Sequence, residues 1–427
     1  MEILINPSLD KWDTLVLRAA SEQSEQVKNI VSEILTRVKE DGDKAIIELT
    51  SEIDKVNISL LAVSDKEILE SETAVSSELK IAIEQAAKNI EIFHSAQHSN
   101  GVDMQTMPGV RCVQKSVPIQ SVGLYVPGGT APLFSTVLML AIPAKVAGCK
   151  DIMLCTPVGK DGKIAPQILY AAKVCGVSKI YKVGGAQAIA AMAYGTDTVA
   201  KVDKIFGPGN RFVTEAKQQL SVKDVAIDMP AGPSEVMVLA DETADADFVA
   251  SDLLSQAEHG VDSQSILVCL SEEFAGKVKV SVDKQLAQLS RCDIALKALD
   301  NSKIIVFEDR ENIIKFANVY AAEHLIISMS EPWNVAEKIT AAGSVFIGNY
   351  TPESAGDYAS GTNHTLPTSG WARAYSGVNL DSFMRKITYQ EITSEGLKGI
   401  GKTIMIMADD EGLDAHKNAV AVRLSKI

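Results

Sequence analysis

Four of the six histidines stand in short polar clusters: Gln256 with His259, Glu323 beside His324, Asp357 with His364, and Glu411 with His416. Histidine is the side chain whose unperturbed pKa lies near neutrality, and its neutral imidazole is the commonest metal ligand. Histidines set beside carboxylates and amides point to a metal and acid–base site. Tens of residues separate the clusters, so only a folded scaffold can bring them together.

Gln256 and His259 are three apart near the end of a helix predicted over 244–259, so they share a face and can address one ion. The competing reading of His259 is a helix C-terminal histidine acting on the dipole. Glu323-His324 precedes an apolar strand at 325–327. Adjacent residues there are expected to face different sides, the Glu activating water and the His shuttling protons. Residues 349–377 are rich in Gly, Ser, Thr, Asn and Pro and show no clear element. So long a stretch in a compact domain is functional or disordered. Tyr350, Tyr358, Trp371 and Tyr375 would need burial, so a binding loop carrying Asp357 and His364 is expected. Glu411 is read as opening the terminal helix, where its charge suits the dipole, with Leu413, Val420, Val422 and Leu424 packed against a neighbour. Glu91, His94 and His98 share another helix face at a spacing able to bind zinc, but a solvated face is the expectation there.

The net charge of −14 and the lack of any Lys/Arg-rich run argue against nucleic acid or an anionic membrane as partner. The apolar stretch 137–144 is broken by Pro143 and falls far short of the ~20 residues of a membrane span. The first dozen residues lack the basic region and apolar core of a signal peptide. The six cysteines contain no Cys-x-x-Cys pair, so neither a thiolate zinc site nor a disulfide framework is expected. The cytoplasm is the expected compartment.

The first hundred residues read as helices, with Leu79, Ile83, Ala86, Ile90 and Phe93 forming one apolar stripe. From about residue 121 apolar strands alternate with helices, which implies parallel sheets covered on both faces. The alternation runs twice. The expected fold is α/β, with two incomplete Rossmann-like parallel-sheet domains, a helical N-terminal segment (1–25) and a helical C-terminal tail (382–427). Residues 121–234 form the cofactor domain; 26–120 together with 235–381 form the catalytic one. The dinucleotide fingerprint Gly-x-Gly-x-x-Gly is absent. Glycine turns at 127–129, 184–185 and 207–210 nevertheless follow strands at one sheet edge, where helix N-termini and backbone amides can hold a pyrophosphate.

The segments GLYVPGG (123–129), VGGAQAIAA (183–191), FGPGN (206–210), DMPAGPSEV (228–236), DLLSQAEHG (252–260), AEHL (322–325), NHTLPTSGWAR (363–373) and EGLDAH (411–416) occur in this order across nearly the whole chain. Together they resemble the histidinol dehydrogenase family. The resemblance implies a four-electron oxidation of L-histidinol to L-histidine through an enzyme-held aldehyde, with two NAD⁺ used in turn. It implies a zinc ion on Gln256, His259, Asp357 and His416, and acid–base roles for Glu323 and His324. Tyr125, Gln187 and Asn210 match NAD-contacting positions. Ser234, His364 and Glu411 match substrate-contacting ones, alongside His324 and the zinc set. It further implies a homodimer whose tails exchange, so that Glu411 and His416 enter the partner's site. Ala322 departs from the family's usual proline before the Glu-His pair, which would have fixed the backbone there. The rival readings are a zinc enzyme for another amino alcohol, a thiol-dependent aldehyde dehydrogenase using Cys149 or Cys155, a metal hydrolase without NAD, and a zinc-stabilised binding protein.

Overall fold

The computed structural model describes residues 1–18, 25–128, 132–229 and 232–427. The chain opens with a strand, β1 (Glu2–Ile5), and reaches β2 (Val102–Met107) and β3 (Val110–Pro118) only after a run of helices. Strand–helix alternation begins with β4 (Ser121–Tyr125), β5 (Asp151–Thr156), β6 (Lys179–Lys182), β7 (Lys204–Phe206) and the short β8 (Ala226–Ile227). It resumes with β9 (Glu235–Ala240), β10 (Gln264–Cys269), β11 (Lys303–Val306), β12 (His324–Ser328) and β13 (Ser344–Ile347). One further strand, β14 (Met384–Ile392), and two helices end the chain.

Two parallel sheets result. The first has the order β6-β5-β4-β7-β8, the second β1-β11-β10-β9-β12-β13. In each, successive strands run outward in one direction and then in the other, so strand order reverses between β4 and β7 and between β9 and β12. β9 and β10 are buried at every position, as a sheet covered on both faces requires.

The helix Phe134–Ala147 after β4 is buried nearly all round. A helix with no polar face needs cover on its outer side as well as against the sheet. The helix Ser77–Ser95 supplies it, burying Ile83, Ala86 and Ile90 in the same core. On the opposite face, Gly185–Tyr194 and Arg211–Ser221 are covered by the long helix Glu25–Leu49 through Val31, Leu35, Val38 and Ile46. Residues 26–98 therefore clothe the first sheet, not the second with which the sequence reading grouped them. Periodicity reveals that a helix has an apolar stripe but not which surface it covers. The segment 1–25 also differs from expectation, because its first residues form β1, paired in parallel with β11.

Residues 382–427 are not helical throughout. β14 pairs antiparallel with β3, which also pairs with β2, and the helices Ser394–Asp410 and Asp414–Leu424 pack on each other beyond it. β14 is almost wholly exposed, so it has no period-2 burial pattern, and its partner lies some 270 positions away. The tail is anchored where Phe383 stacks on Phe206 of β7, centroids 4.1 Å apart and planes 18° apart. Beside them Lys204 Nζ donates to the Ser382 carbonyl at 2.9 Å. Phe383 is fully buried in the core of the first sheet. Phe383→Ala is expected to cost about 3–5 kcal/mol, the range for truncating a buried Phe, read as a lower denaturant midpoint. An unchanged midpoint would show that the tail docks by other contacts.

Candidate active site

The helix Arg310–Tyr320 ends at Ala321, whose φ of +55° lies in the left-handed region and turns the chain toward β12. Glu323 and His324 follow. The adjacent strand begins so close that a Cβ on Gly343 would lie 2.6 Å from the Glu323 carbonyl oxygen, so only glycine fits there. Both side chains are buried. They do not serve separate sides as expected: Glu323 Oε2 lies 3.7 Å from His324 Nδ1. The same Oε2 accepts the Glu235 backbone N–H at 2.9 Å.

Residues 349–377, expected to lack regular elements, contain a short helix, Glu353–Tyr358, and a 3-10 turn, Trp371–Arg373. That helix aims two carboxylates at the imidazole. Glu353 Oε1 stands 3.6 Å from His324 Nδ1, and Asp357 Oδ1 stands 3.5 Å from Nε2. Among the described residues, His324, Glu353 and Asp357 form a set able to hold a metal ion. Glu353 is a residue that sequence reasoning missed. Its one signal is its position four before Asp357, which means a shared face only once the segment is known to be helical. The aromatic rings of this stretch are not buried as expected: Tyr350 is 90% exposed, and Tyr358, Trp371 and Tyr375 are 41–53% exposed. They pack partly on surface neighbours, Trp371 against Tyr375 edge to face, and amphipathic rings tolerate that.

Burial disfavours charge on each acid. It pushes Glu323 and Glu353 up to about 8. Burial also works to lower His324, but the carboxylates of Glu353, Glu323 and Asp357 outweigh it and raise the imidazole to about 10. Asp357 is itself held below the usual carboxylate range, because the hydrogen-bonding and charge of His324 overcome its burial. His364 is a second imidazole beside Asp357. Its Nδ1 donates to the Asp357 carbonyl at 2.9 Å, which leaves Nε2 to accept from the Thr136 hydroxyl at 3.2 Å. Burial lowers its pKa and keeps it neutral.

Gln256, in the last turn of the helix Ala246–Ala257, and His259, just beyond its end, have their Nε2 and Nδ1 atoms 3.1 Å apart. Gln256 is fully buried, and its Oε1 has no partner. His259 is near enough to Asp357 and His324 for their charges to interact. Ser234 sits just before β9, its carbonyl accepting from the Gln264 amide. The cluster thus lies at the amino edge of the second sheet, where β9 and β12 begin. Through Thr136 it meets the carboxyl edge of the first sheet.

At that carboxyl edge the glycine turns converge. Tyr125 ends β4, and its hydroxyl accepts the Gly185 N–H at 3.0 Å. Gly207 has φ +124°, and a Cβ there would lie 2.0 Å from the Tyr125 carbonyl oxygen. Gln187 is buried with its Nε2 unpartnered. Asn210 caps the helix Arg211–Ser221, its Oδ1 accepting from Phe212 and Val213, so only its Nδ2 remains for a ligand. Gly129, Pro230 and Ala231 of the quoted motifs lie outside the described residues.

A sequence model described as histidinol dehydrogenase matches residues 17–424. The histidinol dehydrogenase of Bacteroides fragilis (strain YCH46) is 58% identical over all of both chains. That of Pasteurella multocida is 51% identical over 97% of this chain and 98% of its own. The crystal structure of histidinol dehydrogenase from Elizabethkingia anophelis superposes with a TM-score of 0.97 at 52% identity, covering 100% of this chain and 98% of that one. The chain belongs to the histidinol dehydrogenase family.

In this member of the histidinol dehydrogenase family two residues singled out from the sequence stand apart from the cluster. Glu411 and His416 are exposed on the tail. Glu411 does not open the terminal helix; it ends the preceding one, because Gly412 at φ +70° stops the turn, and the last helix begins at Asp414. Leu413 and Val422, expected to be packed, are 41% and 45% exposed. The rival zinc spacing also fails. His94 is neither a ligand nor solvated: it is buried, with Nδ1 donating to the Ile90 carbonyl at 2.8 Å, while Glu91 and His98 are exposed. Burial raises the Cys149 thiol to about 11 and Cys155 higher still, which leaves no thiolate for a nucleophile.

Asp252, one turn before Gln256, is buried and pushed up to about 7 by that burial. Its folded pKa exceeds the unfolded value, so its contribution to stability is complete below about pH 4 and is lost as pH rises toward about 7. The melting temperature of the metal-free wild type, relative to Asp252→Asn, should therefore fall between those limits and level off above. Parallel pH curves for the two proteins would refute this.

Proposed function

We propose that the chain oxidises L-histidinol to L-histidine by way of L-histidinaldehyde, with Zn²⁺ and two NAD⁺ used in turn, as a cytoplasmic homodimer in the last steps of histidine biosynthesis. The observation that carries this reading is the buried Glu323–His324 pair, enclosed by further ligand-type side chains, in a chain of this family. The pocket suits a metal ion. Gln256 Oε1 and both oxygens of Glu353 are buried without hydrogen-bond partners, and unpaired buried polar atoms are costly unless something meets them. Gln256, His259 and Asp357 would hold the zinc, with His416 of a second copy completing the set. The first-sheet edge suits a dinucleotide, since Gln187 Nε2 is unpaired and the helix that begins at Gly185 has no side-chain cap at its N-terminus. There Tyr125, Gln187 and Asn210 would contact NAD⁺.

When bound, the zinc supplies a Lewis acid for the amine and imidazole of histidinol, and NAD⁺ supplies the hydride acceptor. The chain's own residues do the rest. Ser234, His364 and Glu411 hold the substrate. Asp357, whose carboxylate faces Nε2, would be offset by the zinc it holds, so that His324 can shed its resting proton and then take the alcohol proton as hydride leaves the carbinol carbon. Glu323, in its ionised form, then draws a proton from water so that the aldehyde is hydrated, and the hydrogen still on that carbon can leave as the second hydride. Carboxylates on either side of His324 hold its cationic form after the first transfer, as their effect on its pKa indicates. The exposure of Glu411 and His416 suits their entry into a partner's pocket.

With histidinol and NAD⁺ the purified protein should develop absorbance at the NADH band. His324→Ala should lower the rate about 10²–10⁴-fold with zinc still bound; no signal from the wild type would sink the assignment. Exchange between His324→Ala and His416→Ala chains tests the shared site. Each mixed dimer keeps one intact pocket, so random pairing should restore roughly a quarter of wild-type activity. A mixture as inactive as its components would mean that each chain builds its own site.

A further inference from the structure

Arg18 lies outside every motif, yet its guanidinium joins Glu235, whose backbone N–H meets the Glu323 carboxylate, to the Tyr320 carbonyl just upstream of Glu323. Its Nε donates to Glu235 Oε2 at 2.7 Å and its Nη2 to Oε1 at 3.0 Å, a two-pronged grip on a carboxylate that is 1% exposed. Nη2 also donates to the Tyr320 carbonyl at 2.8 Å, Nη1 donates to the Val16 carbonyl at 2.7 Å, and the guanidinium lies 3.7 Å above the Tyr320 ring. Tyr320 is held from its other end, where its hydroxyl donates to Gln264 Oε1 at 2.6 Å.

Both partners of Arg18 lead directly to the reacting pair. The backbone N–H of Glu235 is the donor to Glu323 Oε2 at 2.9 Å, and its carbonyl faces His324 Nδ1 at 3.4 Å. The Tyr320 carbonyl is the last fixed point before Ala321, where the backbone swings through the left-handed region to present Glu323. One guanidinium therefore sets the distance between the donor that orients the Glu323 carboxylate and the turn that carries it. A buried ion pair is a poor way to gain stability, because desolvating both charges offsets their attraction. What the fork supplies is direction, since a planar guanidinium meets a carboxylate in one geometry.

We infer that Arg18, acting through Glu235, is a positioning residue that fixes the Glu323 carboxylate for proton transfer. This rests on the acid–base role proposed for Glu323. A purely structural Arg18 would only pin the N-terminal segment to β9; its loss would lower the melting temperature without singling out turnover.

The test uses zinc-loaded enzyme, histidinol and NAD⁺, with Arg18→Met, the apolar pair Arg18→Met/Glu235→Leu, and each combined with Glu323→Gln. The apolar pair removes both charges, so no carboxylate is stranded and the fold is kept even where Arg18→Met alone does not fold. Misplacing Glu323 should lower kcat about 10–100-fold with little change in KM. In the Glu323→Gln background neither variant should cause a further loss. Wild-type kcat in the folded apolar pair, or losses that multiply with Glu323→Gln, overturns the inference. Amide hydrogen exchange gives a reading independent of turnover: segments 235–240 and 321–328 should exchange faster in the apolar pair while the first sheet is unchanged. If the wild type does not oxidise histidinol, or Glu323→Gln turns over normally, the functional reading fails and exchange alone decides. Unchanged exchange in both segments then removes the clamp.

Discussion

Burying several ionisable groups together at the start of β12 governs much of the surrounding structure. Glu323, Glu353 and Asp357 meet one imidazole; the imidazole and both glutamates are buried and Asp357 is half-buried. Carboxylates that close to one another are tolerated only if protons, hydrogen bonds or a cation offset their repulsion. The imidazole takes part of that load, which is why it holds its proton so strongly, and burial leaves Glu323 and Glu353 reluctant to ionise. A cluster of this kind collapses or opens to water unless rigid elements hold it.

Those elements are the amino ends of two central strands. β9 and β12 are neighbours in the middle of a sheet buried on both faces, so their first residues cannot drift apart. Ligands of open α/β sheets ordinarily bind at the carboxyl edge. Here the two halves divide the task. The first sheet offers its carboxyl edge, with glycine turns and helix starts suited to a phosphate-bearing ligand. The second sheet offers its amino edge, with the acid–base and metal-type side chains. The contact from Thr136 to His364 joins the two edges.

The sequence reading and the structure part company at recognisable points. β14 carries no strand signal in the sequence because an exposed strand has no alternation to display, and its partner β3 is remote in the chain. Nothing in residues 26–98 says which sheet they cover, because an amphipathic stripe is equally good against either. Glu353 went unnoticed in a stretch without visible periodicity, although it is among the most deeply buried acids in the protein. Arg18 was invisible for a similar reason: an isolated arginine near the start carries no pattern, and its importance lies wholly in what it touches.

The sequence by itself determined the two runs of strand and helix, the glycine turns that follow strands, and the polar clusters Gln256/His259, Glu323/His324 and Asp357/His364. Each is encoded locally, through apolar period, through glycine where no Cβ can fit, and through the spacing of polar residues along one helix or turn. Only the tertiary structure decided that three of these clusters share one pocket while Glu411 and His416 stand outside it. It alone turned Glu323 and His324 toward each other, and it alone added Glu353, Arg18 and Glu235 to the site. Burial and mutual distance fix what a titratable side chain can do, and both are properties of contacts between residues far apart in the chain.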